Sequence, residues 1–169
     1  MNSKAQLFSV DIMIAAAVLT IIIISVFFFW NYSEKKLAAQ ERHQEMYLLG
    51  ERALSQLLLT EGTPFNWTTA LAANLSSLSS LGLIQQPWIL SPQKVYNFSL
   101  LPYNNSKLFL GVDGYEFSFR LKSWNTTDYQ TQLTTGASEG AAPEVIKITR
   151  LALFNNSWTL AEVLLWVNS

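Results

Sequence analysis

The apolar residues of this chain are concentrated in one block near its N-terminus. From Ile12 to Trp30 there are nineteen consecutive uncharged residues, and only Thr20 and Ser25 among them carry a hydroxyl group. As a helix this block would be about 28 Å long, close to the thickness of the hydrocarbon core of a bilayer. The pattern predicts a membrane-spanning helix over residues 7–32. Aromatic residues of the kind found at membrane interfaces close it: Phe27, Phe28, Phe29, Trp30 and Tyr32.

A cleaved secretory signal is the competing interpretation of this block. Such a signal has an apolar core of about 7–15 residues followed by a cleavage site of small residues. Here the apolar core is longer, and the segment that follows it, WNYSEKK, has no small-x-small pattern. We therefore expect the span to remain in the mature protein, either uncleaved or trimmed only at its front.

Helical spacing continues beyond the span. Residues 33–59 contain no proline, a single glycine (Gly50) and mostly strong helix formers. The first half of this segment is polar all round, which is typical of an exposed stalk or of a helix covered by neighbouring chains. Apolar positions recur with a helical period towards the second half: Leu37, Met46, Leu49, Ala53, Leu54, Leu57 and Leu58. Together these patterns predict one nearly continuous helix from about Ser9 to Leu59, on the order of 75 Å long.

Turn and capping signals divide the following residues into short elements. TEGTPFNW ends the long helix, and residues 68–82 form either a loop or a short helix. Ser91 as N-cap with Pro92 at the first helical position predicts a helix that Pro102 closes. YNNSKLFLG predicts a second short helix that ends at Gly111.

Beyond Gly114 the period of the apolar positions changes from 3.6 to 2 residues. In YEFSFRLK the apolar side chains alternate with polar ones, which predicts a half-buried strand. EVIKITRLALF and SWTLAEVLLWV follow as strands joined by a tight turn at Asn155 and Asn156, and residues 125–143 are expected to be a long exposed hairpin loop. The predicted fold class is α+β, with the long helix packed on an antiparallel sheet of three or four strands.

Composition argues against several classes of function. Eleven Lys and Arg against twelve Asp and Glu leave no basic field for nucleic acid, and without cysteine there is no disulfide or thiolate metal site. His43 is interpreted as a solvated helix residue and Asp113 as part of a turn, because neither has partners suited to catalysis or metal binding. We expect no enzyme activity, cofactor, metal or small-molecule substrate. A sugar-binding platform is the alternative to a place in the core or at its rim for five tryptophans: Trp67, Trp88, Trp124, Trp158 and Trp166.

Seven N-x-S/T triplets indicate on which side of the membrane the head lies. Lys4 and the amino terminus before the span balance Lys35 and Lys36 after it, so positive charge does not decide the orientation. The triplets favour an extracytoplasmic head that carries glycans, and chance spacing in a Ser- and Asn-rich surface is the alternative. Asn31 lies too near the membrane for use. The remaining six candidate glycosylation sites are Asn66, Asn74, Asn97, Asn104, Asn125 and Asn155.

KAQLFSVD, the apolar helix, its amphipathic continuation and the β-rich end together resemble archaeal type IV pilin-like proteins with class III signal peptides. The middle of the chain (GTPFNW, LGLI, LSPQKV and LPYNNSKLFLGVDGYEF) is similar to a recurring pattern in archaeal pilin-like secreted proteins. The resemblance implies a leader, residues 1–6, that a prepilin peptidase removes on the cytoplasmic side. A cut after Gln6 makes Leu7 the first residue and Asp11 the fifth, whereas a cut before Gln6 makes Asp11 the sixth. The chain departs from the family in having no glycine before the cut and a single lysine in the leader.

Asp11, at the entrance to the apolar block, has two interpretations. A carboxylate near the end of a membrane helix can reach the interface and is favoured by the helix dipole at an N-terminus. The resemblance implies instead that Asp11 pairs with a freed α-amine inside a filament core, where it sets register more than stability.

The sequence pattern and this resemblance together predict a non-enzymatic pilin-like subunit, major or minor, of an archaeal type IV filament or pseudopilus. A leader (1–6) and a filament-core helix (7–32) precede an amphipathic continuation (33–59) and an extracytoplasmic head (60–169). Its expected partners are the membrane, further pilin-like subunits and the prepilin peptidase. Its expected location is the cell membrane, with the N-terminus cytoplasmic, or a surface filament. The alternative is a single-span surface protein that does not polymerise and carries a binding head.

Overall fold

A computed structural model describes residues 3–69, 78–125, 128–140 and 142–167, with side chains described from Asp11 onward except that of Asn125. These residues belong to two compact units, Met1–Arg42 and His43–Ser169. Most of the segment 68–82, predicted to be a loop or a short helix, lies outside the described residues.

The first helix, α1, spans Ser3–Leu59. It confirms the long helix predicted from about Ser9 to Leu59 and begins earlier than expected. In the first unit the described side chains are exposed, apart from the half-buried Asn31. In the second unit α1 contributes five side chains to the core of the head: Met46, Ala53, Leu54, Leu57 and Leu58.

Within the described range 78–125 two short helices follow, as their capping residues predict. Helix α2, Pro92–Leu100, begins after Ser91, whose side chain accepts a hydrogen bond from the backbone N–H of Lys94. Helix α3, Tyr103–Leu110, ends at Gly111, which has a left-handed φ of 68° that suits glycine.

The head contains a six-stranded sheet rather than the predicted three or four strands. The order is β1-β2-β5-β6-β3-β4, and every neighbouring pair is antiparallel except β2 and β5, which are parallel. The sheet is therefore mixed, and the expectation of a purely antiparallel sheet is wrong. Its strands are β1 (Ile84–Gln86), β2 (Ile89–Leu90), β3 (Glu116–Asn125), β4 (Asp128–Gly136), β5 (Val145–Phe154) and β6 (Ser157–Trp166).

The strand β4 corrects the expectation that residues 125–143 form a loop. It pairs with β3 along its whole length, and most of its side chains are exposed. An edge strand that is largely solvated needs no alternation of apolar and polar residues, so its Thr- and Gln-rich sequence gives no strand signal. The ladder has a bulge after Leu121, where β4 carries one additional residue, Gln132.

The turn between β5 and β6 is the predicted tight hairpin. Asn155 and Asn156 have φ values of 51° and 61°, which is the pattern of a type I′ turn. This turn fixes the β5–β6 register, in which Leu153 is the partner of Trp158.

One face of the sheet packs against α1. Phe117, Phe119 and Leu121 on β3 are buried as predicted, and Phe98 of α2 meets Phe119 edge-on at a ring-centroid distance of 5.6 Å. Gly50 is the position of closest approach, since a Cβ there would lie 2.5 Å from Ile148 Cδ1 on β5. The glycine inside the helical pattern therefore serves close packing.

The opposite face of the sheet is less exposed than the polar half of YEFSFRLK indicates. Ser118 is fully buried, and its hydroxyl has no hydrogen-bond partner among the described residues. Lys122 Nζ and Glu162 Oε2 form an ion pair with a separation of 2.7 Å. The geometry does not meet that of a hydrogen bond, and Glu162 Oε2 is buried without a hydrogen-bond partner among the described residues. Arg120 pairs with Glu139 in the segment after β4. Charge pairing thus accompanies partial burial on this face.

Replacing Gly50 tests the packing of α1 on the sheet. Gly50→Val introduces two methyl groups beyond a Cβ that already meets Ile148, so we expect the free energy of unfolding to fall by about 2 kcal/mol. Gln44→Val, at an exposed position of the same helix, should cost less than about 1 kcal/mol. Denaturation of the full chain in lipid nanodiscs, followed by tryptophan fluorescence, measures both. Equal losses for the two variants would contradict this packing.

Candidate assembly segment and head surface

The described apolar side chains of the first unit are exposed along α1. Among the described residues, α1 is the one helix long and apolar enough to cross a membrane, and none of its apolar window is buried. Large side chains such as Ile22 and Phe28 are exposed. A single candidate spanning helix near the N-terminus fits a single-pass membrane protein. Lipid or other apolar helices must cover this surface, because its contact with water is unfavourable.

The two hydroxyl groups inside the apolar segment are satisfied by the helix itself. Thr20 Oγ1 donates to the carbonyl of Ala16 at 2.8 Å, and Ser25 Oγ donates to that of Ile21 at the same distance. Internal hydrogen bonds of this kind remove the cost of placing a polar group in hydrocarbon. Thr20 and Ser25 are therefore compatible with an environment that excludes water.

Polar side chains return at the C-terminal end of the apolar segment. Trp30 Nε1 donates to Glu34 Oε1 at 2.7 Å, and Asn31 Nδ2 donates to the carbonyl of Phe27 at 2.9 Å. An indole with an apolar body and a hydrogen-bonded N–H is typical of the boundary between lipid and water.

The residues predicted for leader processing and assembly share α1. Gln6 and Leu7 lie in its first turns, with side chains outside the described set, and Asp11 is exposed. In the intact helix Asp11 lies beyond the first turn, where the free N–H groups and most of the dipole effect are located. The interpretation that the helix dipole at an N-terminus favours Asp11 therefore does not fit a helix that begins at Ser3. A chain beginning at Leu7 would bring Asp11 next to the first turn.

The predicted glycosylation sites differ in accessibility. Asn66, Asn104 and Asn155 are exposed, and Asn97 is half-buried in α2. The side chain of Asn125, at the end of β3, and all of Asn74 lie outside the described residues. The half-buried amide of Asn31 already donates a hydrogen bond within α1. Three sites, Asn66, Asn104 and Asn155, thus present a free surface.

A polar cluster joins α3 to β3. The Tyr103 hydroxyl donates to Glu116 Oε2 and accepts from the backbone N–H of Phe117 at 3.0 Å, and Lys107 Nζ lies 3.0 Å from Glu116 Oε1. The hydrogen bond from Tyr103, assisted by Lys107, lowers the pKa of Glu116 despite its partial burial. Burial and the bond to Glu116 raise the pKa of Tyr103. The cluster holds α3 on the sheet, and its polar groups are paired with one another.

Other ionisable groups of the head also have structural partners. Lys94 Nζ donates to the carbonyl groups of Glu61 and Ile84, and burial lowers the pKa of Lys94. His43 Nδ1 lies 2.8 Å from Glu144 Oε1. Asp113 is exposed in the turn before β3. In the described part of the chain no group of three or more His, Asp or Glu is arranged to hold a metal ion.

The five tryptophans of the head divide into two sets. Trp67 and Trp166 are fully buried, whereas Trp88, Trp124 and Trp158 are exposed. Trp124 contacts Tyr129 on β4, and Trp88 and Trp158 line one cleft with Leu151 and Arg150. Sequence reasoning did not pair Trp88 with Trp158, because both short strands that place Trp88 beside β5 lack a sequence pattern.

Comparison with known proteins finds no family model, no curated protein and no solved structure that matches this chain. The geometry of two regions remains as the basis for a function. One is the uncovered apolar helix of the first unit, and the other is the surface of the α+β head.

Acidic pH should remove the contribution of Glu116 to the stability of the fold. Because its pKa in the folded protein lies below the ordinary value of 4.5, Glu116 stabilises the fold above that pH, and this contribution disappears as the pH falls through the folded value. We expect Glu116→Gln to lower the free energy of unfolding by about 1 kcal/mol at pH 7. At pH 3 the variant and the parent should differ less. Denaturant titrations at both pH values measure this, with the exposed Asp113→Asn as control, and a difference that grows in acid would contradict the assignment.

Proposed function

We propose that this chain is a structural, pilin-like subunit that assembles through its N-terminal apolar helix. The observation that carries the proposal is the uncovered segment of α1 between Asp11 and Trp30. Among its described residues, the first unit supplies no other element to cover it. In the membrane, lipid covers this segment, and in a filament the same segment from neighbouring subunits does so.

The continuation of α1 favours assembly over simple anchoring. Residues 33–42 are polar, exposed and helical, although an isolated polar helix is marginally stable in water. In the second unit Leu48 and Leu59 are 50% and 47% exposed and lie eleven residues apart, which places them on one face of α1. Neighbouring helices of an assembly would cover both the polar segment and this leucine face.

Asp11 would then determine how copies align. A carboxylate brought into an apolar bundle must be paired, and the α-amine freed by removal of residues 1–6 is a partner of opposite charge. Pairing would restrict the axial positions that one helix can take against the next. Prepilin peptidase and further pilin-like subunits are accordingly the proposed partners, and the head is proposed to be extracytoplasmic. The alternative, a single-span surface protein that never polymerises, needs no partner for Asp11.

Replacing Asp11 distinguishes assembly from simple anchoring. With Asp11→Ala we expect membrane insertion, measured by carbonate extraction, to be unchanged. We also expect assemblies recovered by cross-linking of native membranes to fall by about tenfold, since a lost charge pair in an apolar core costs more than about 1.4 kcal/mol.

Asp113→Ala, a change of the same kind on the head, should leave assembly unchanged. Mass spectrometry of the mature N-terminus accompanies the comparison. Normal assembly of the Asp11 variant, or single copies that retain Met1, would refute the proposal and favour the non-polymerising protein.

Glycan addition tests the orientation of the head. In a translation system with microsomes, an extracytoplasmic head enters the lumen, so its exposed triplets become modified. We expect Asn66→Gln, Asn104→Gln and Asn155→Gln each to remove one glycan from the gel pattern, and Asn31→Gln to remove none. A head that stays unmodified and open to external protease would reverse the orientation.

A further inference from the structure

An open cleft of about 510 Å³ lies on the head beside strand β5. Trp88, Leu151 and Trp158 form its walls together with Arg150. The two tryptophan side chains are 51% and 65% exposed. Its volume falls in the range of about 300–1,000 Å³ that is typical of small-molecule sites.

The backbone positions of both tryptophans are fixed through one residue, Leu153. The backbone N–H of Leu153 donates to the carbonyl of Trp88 at 2.8 Å, and Leu153 is also the cross-strand partner of Trp158. Trp88 has a left-handed φ of 67°, a conformation that is unfavourable for a residue other than glycine. The fold therefore holds an unfavourable backbone conformation where it places an exposed indole.

The exposure of these indoles is not shared by every tryptophan of the head. The same head buries Trp67 and Trp166 completely, and Trp67 Nε1 donates to the carbonyl of Gly82 at 2.9 Å. Burying an indole removes a large apolar area from water and is strongly favourable. Two uncovered indoles on one cleft indicate a surface that a ligand covers.

The charge of the cleft restricts the ligand to a neutral one. Among the described residues that line it, Arg150 is the one ionisable residue, and its guanidinium pairs with Glu51 of α1, which compensates the charge. Side chains alternate along a strand, so the Arg150 guanidinium lies on the sheet face that carries α1, and the exposed Leu151 lies on the other. The site thus combines two aromatic faces with an apolar wall and has no net charge to attract an ion.

We propose that this cleft binds neutral sugar units of a polysaccharide. The polarised C–H bonds on one face of a pyranose ring suit the negative face of an indole, and its hydroxyl groups keep their hydrogen bonds with water in an open cleft. A fatty acyl chain fits less well, because the open walls would leave much of it in water. This function is independent of polymerisation and would belong to the head whether or not α1 assembles.

Titration with defined oligosaccharides tests the proposal. The full chain in phosphatidylcholine nanodiscs, free of sugar-based detergent, is titrated with the hexamers of glucose, mannose and N-acetylglucosamine, and binding is followed by tryptophan fluorescence and calorimetry. We expect at least one hexamer to bind and Trp158→Ala to weaken it by about tenfold. Trp88→Asn removes the second indole with a residue that tolerates positive φ, and should have a similar effect.

Trp124→Ala is the matched control, because this tryptophan is exposed but contacts Tyr129 away from the cleft. It should leave the affinity unchanged, and all three variants should insert and assemble as the parent does. Absence of binding by every hexamer at about 10 mM, equal weakening by Trp124→Ala, or preferential binding of an apolar peptide would overturn the proposal. None of these outcomes depends on the fate of Asp11.

Discussion

The structure depends on the unfavourable contact between water and the apolar residues that follow Asp11. Within the first unit no described side chain covers them, so the covering must come from outside this unit. Thr20 and Ser25 donate hydrogen bonds to the helix backbone, which leaves hardly any polar group in the segment to oppose removal from water. Lipid and a bundle of identical helices would satisfy this requirement equally well. In the proposed assembly, such a helix would exchange one environment for the other.

In the head, internal packing removes the apolar residues from water. Leu54 and Leu57 of α1 are fully buried, and the absence of a side chain at Gly50 lets Ile148 and Leu165 approach the helix. Polar contacts with the sheet, such as Glu51 with Arg150, flank this apolar contact. One helix thus serves two different surroundings, with its residue pattern changing along its length to match each.

Local patterns predicted much of this fold. Ser91 and Pro92 at one helix start and Gly111 at a helix end have simple backbone chemistry, and the alternation from Tyr115 to Lys122 identifies β3 without reference to distant residues. Asn155 and Asn156 tolerate positive φ, which makes their turn recognisable.

What sequence reasoning missed depends on contacts between distant segments. Strands β1 and β2 are too short to show a period, and their pairing with β5 is a tertiary contact. Strand β4 is solvated and polar, so pairing with β3 rather than burial makes it a strand. The cleft requires Trp88 and Trp158 to meet across these elements. Asp11 was identified by its unusual place in the sequence, but the helix start at Ser3, which bears on its capping role, became apparent only in three dimensions.

The bulge between β3 and β4 has a consequence for crowded copies of this chain. Strand β4 lies at the sheet edge, where unpaired backbone groups can recruit another strand and begin cross-β aggregation. The additional residue, Gln132, interrupts the regular repeat of donors and acceptors, so a second flat strand cannot stay in step along the whole edge. Tethering many heads at high local concentration would favour such mispairing. In the proposed assembly, an irregular edge strand would make that concentration tolerable and would leave lateral association to the apolar helices.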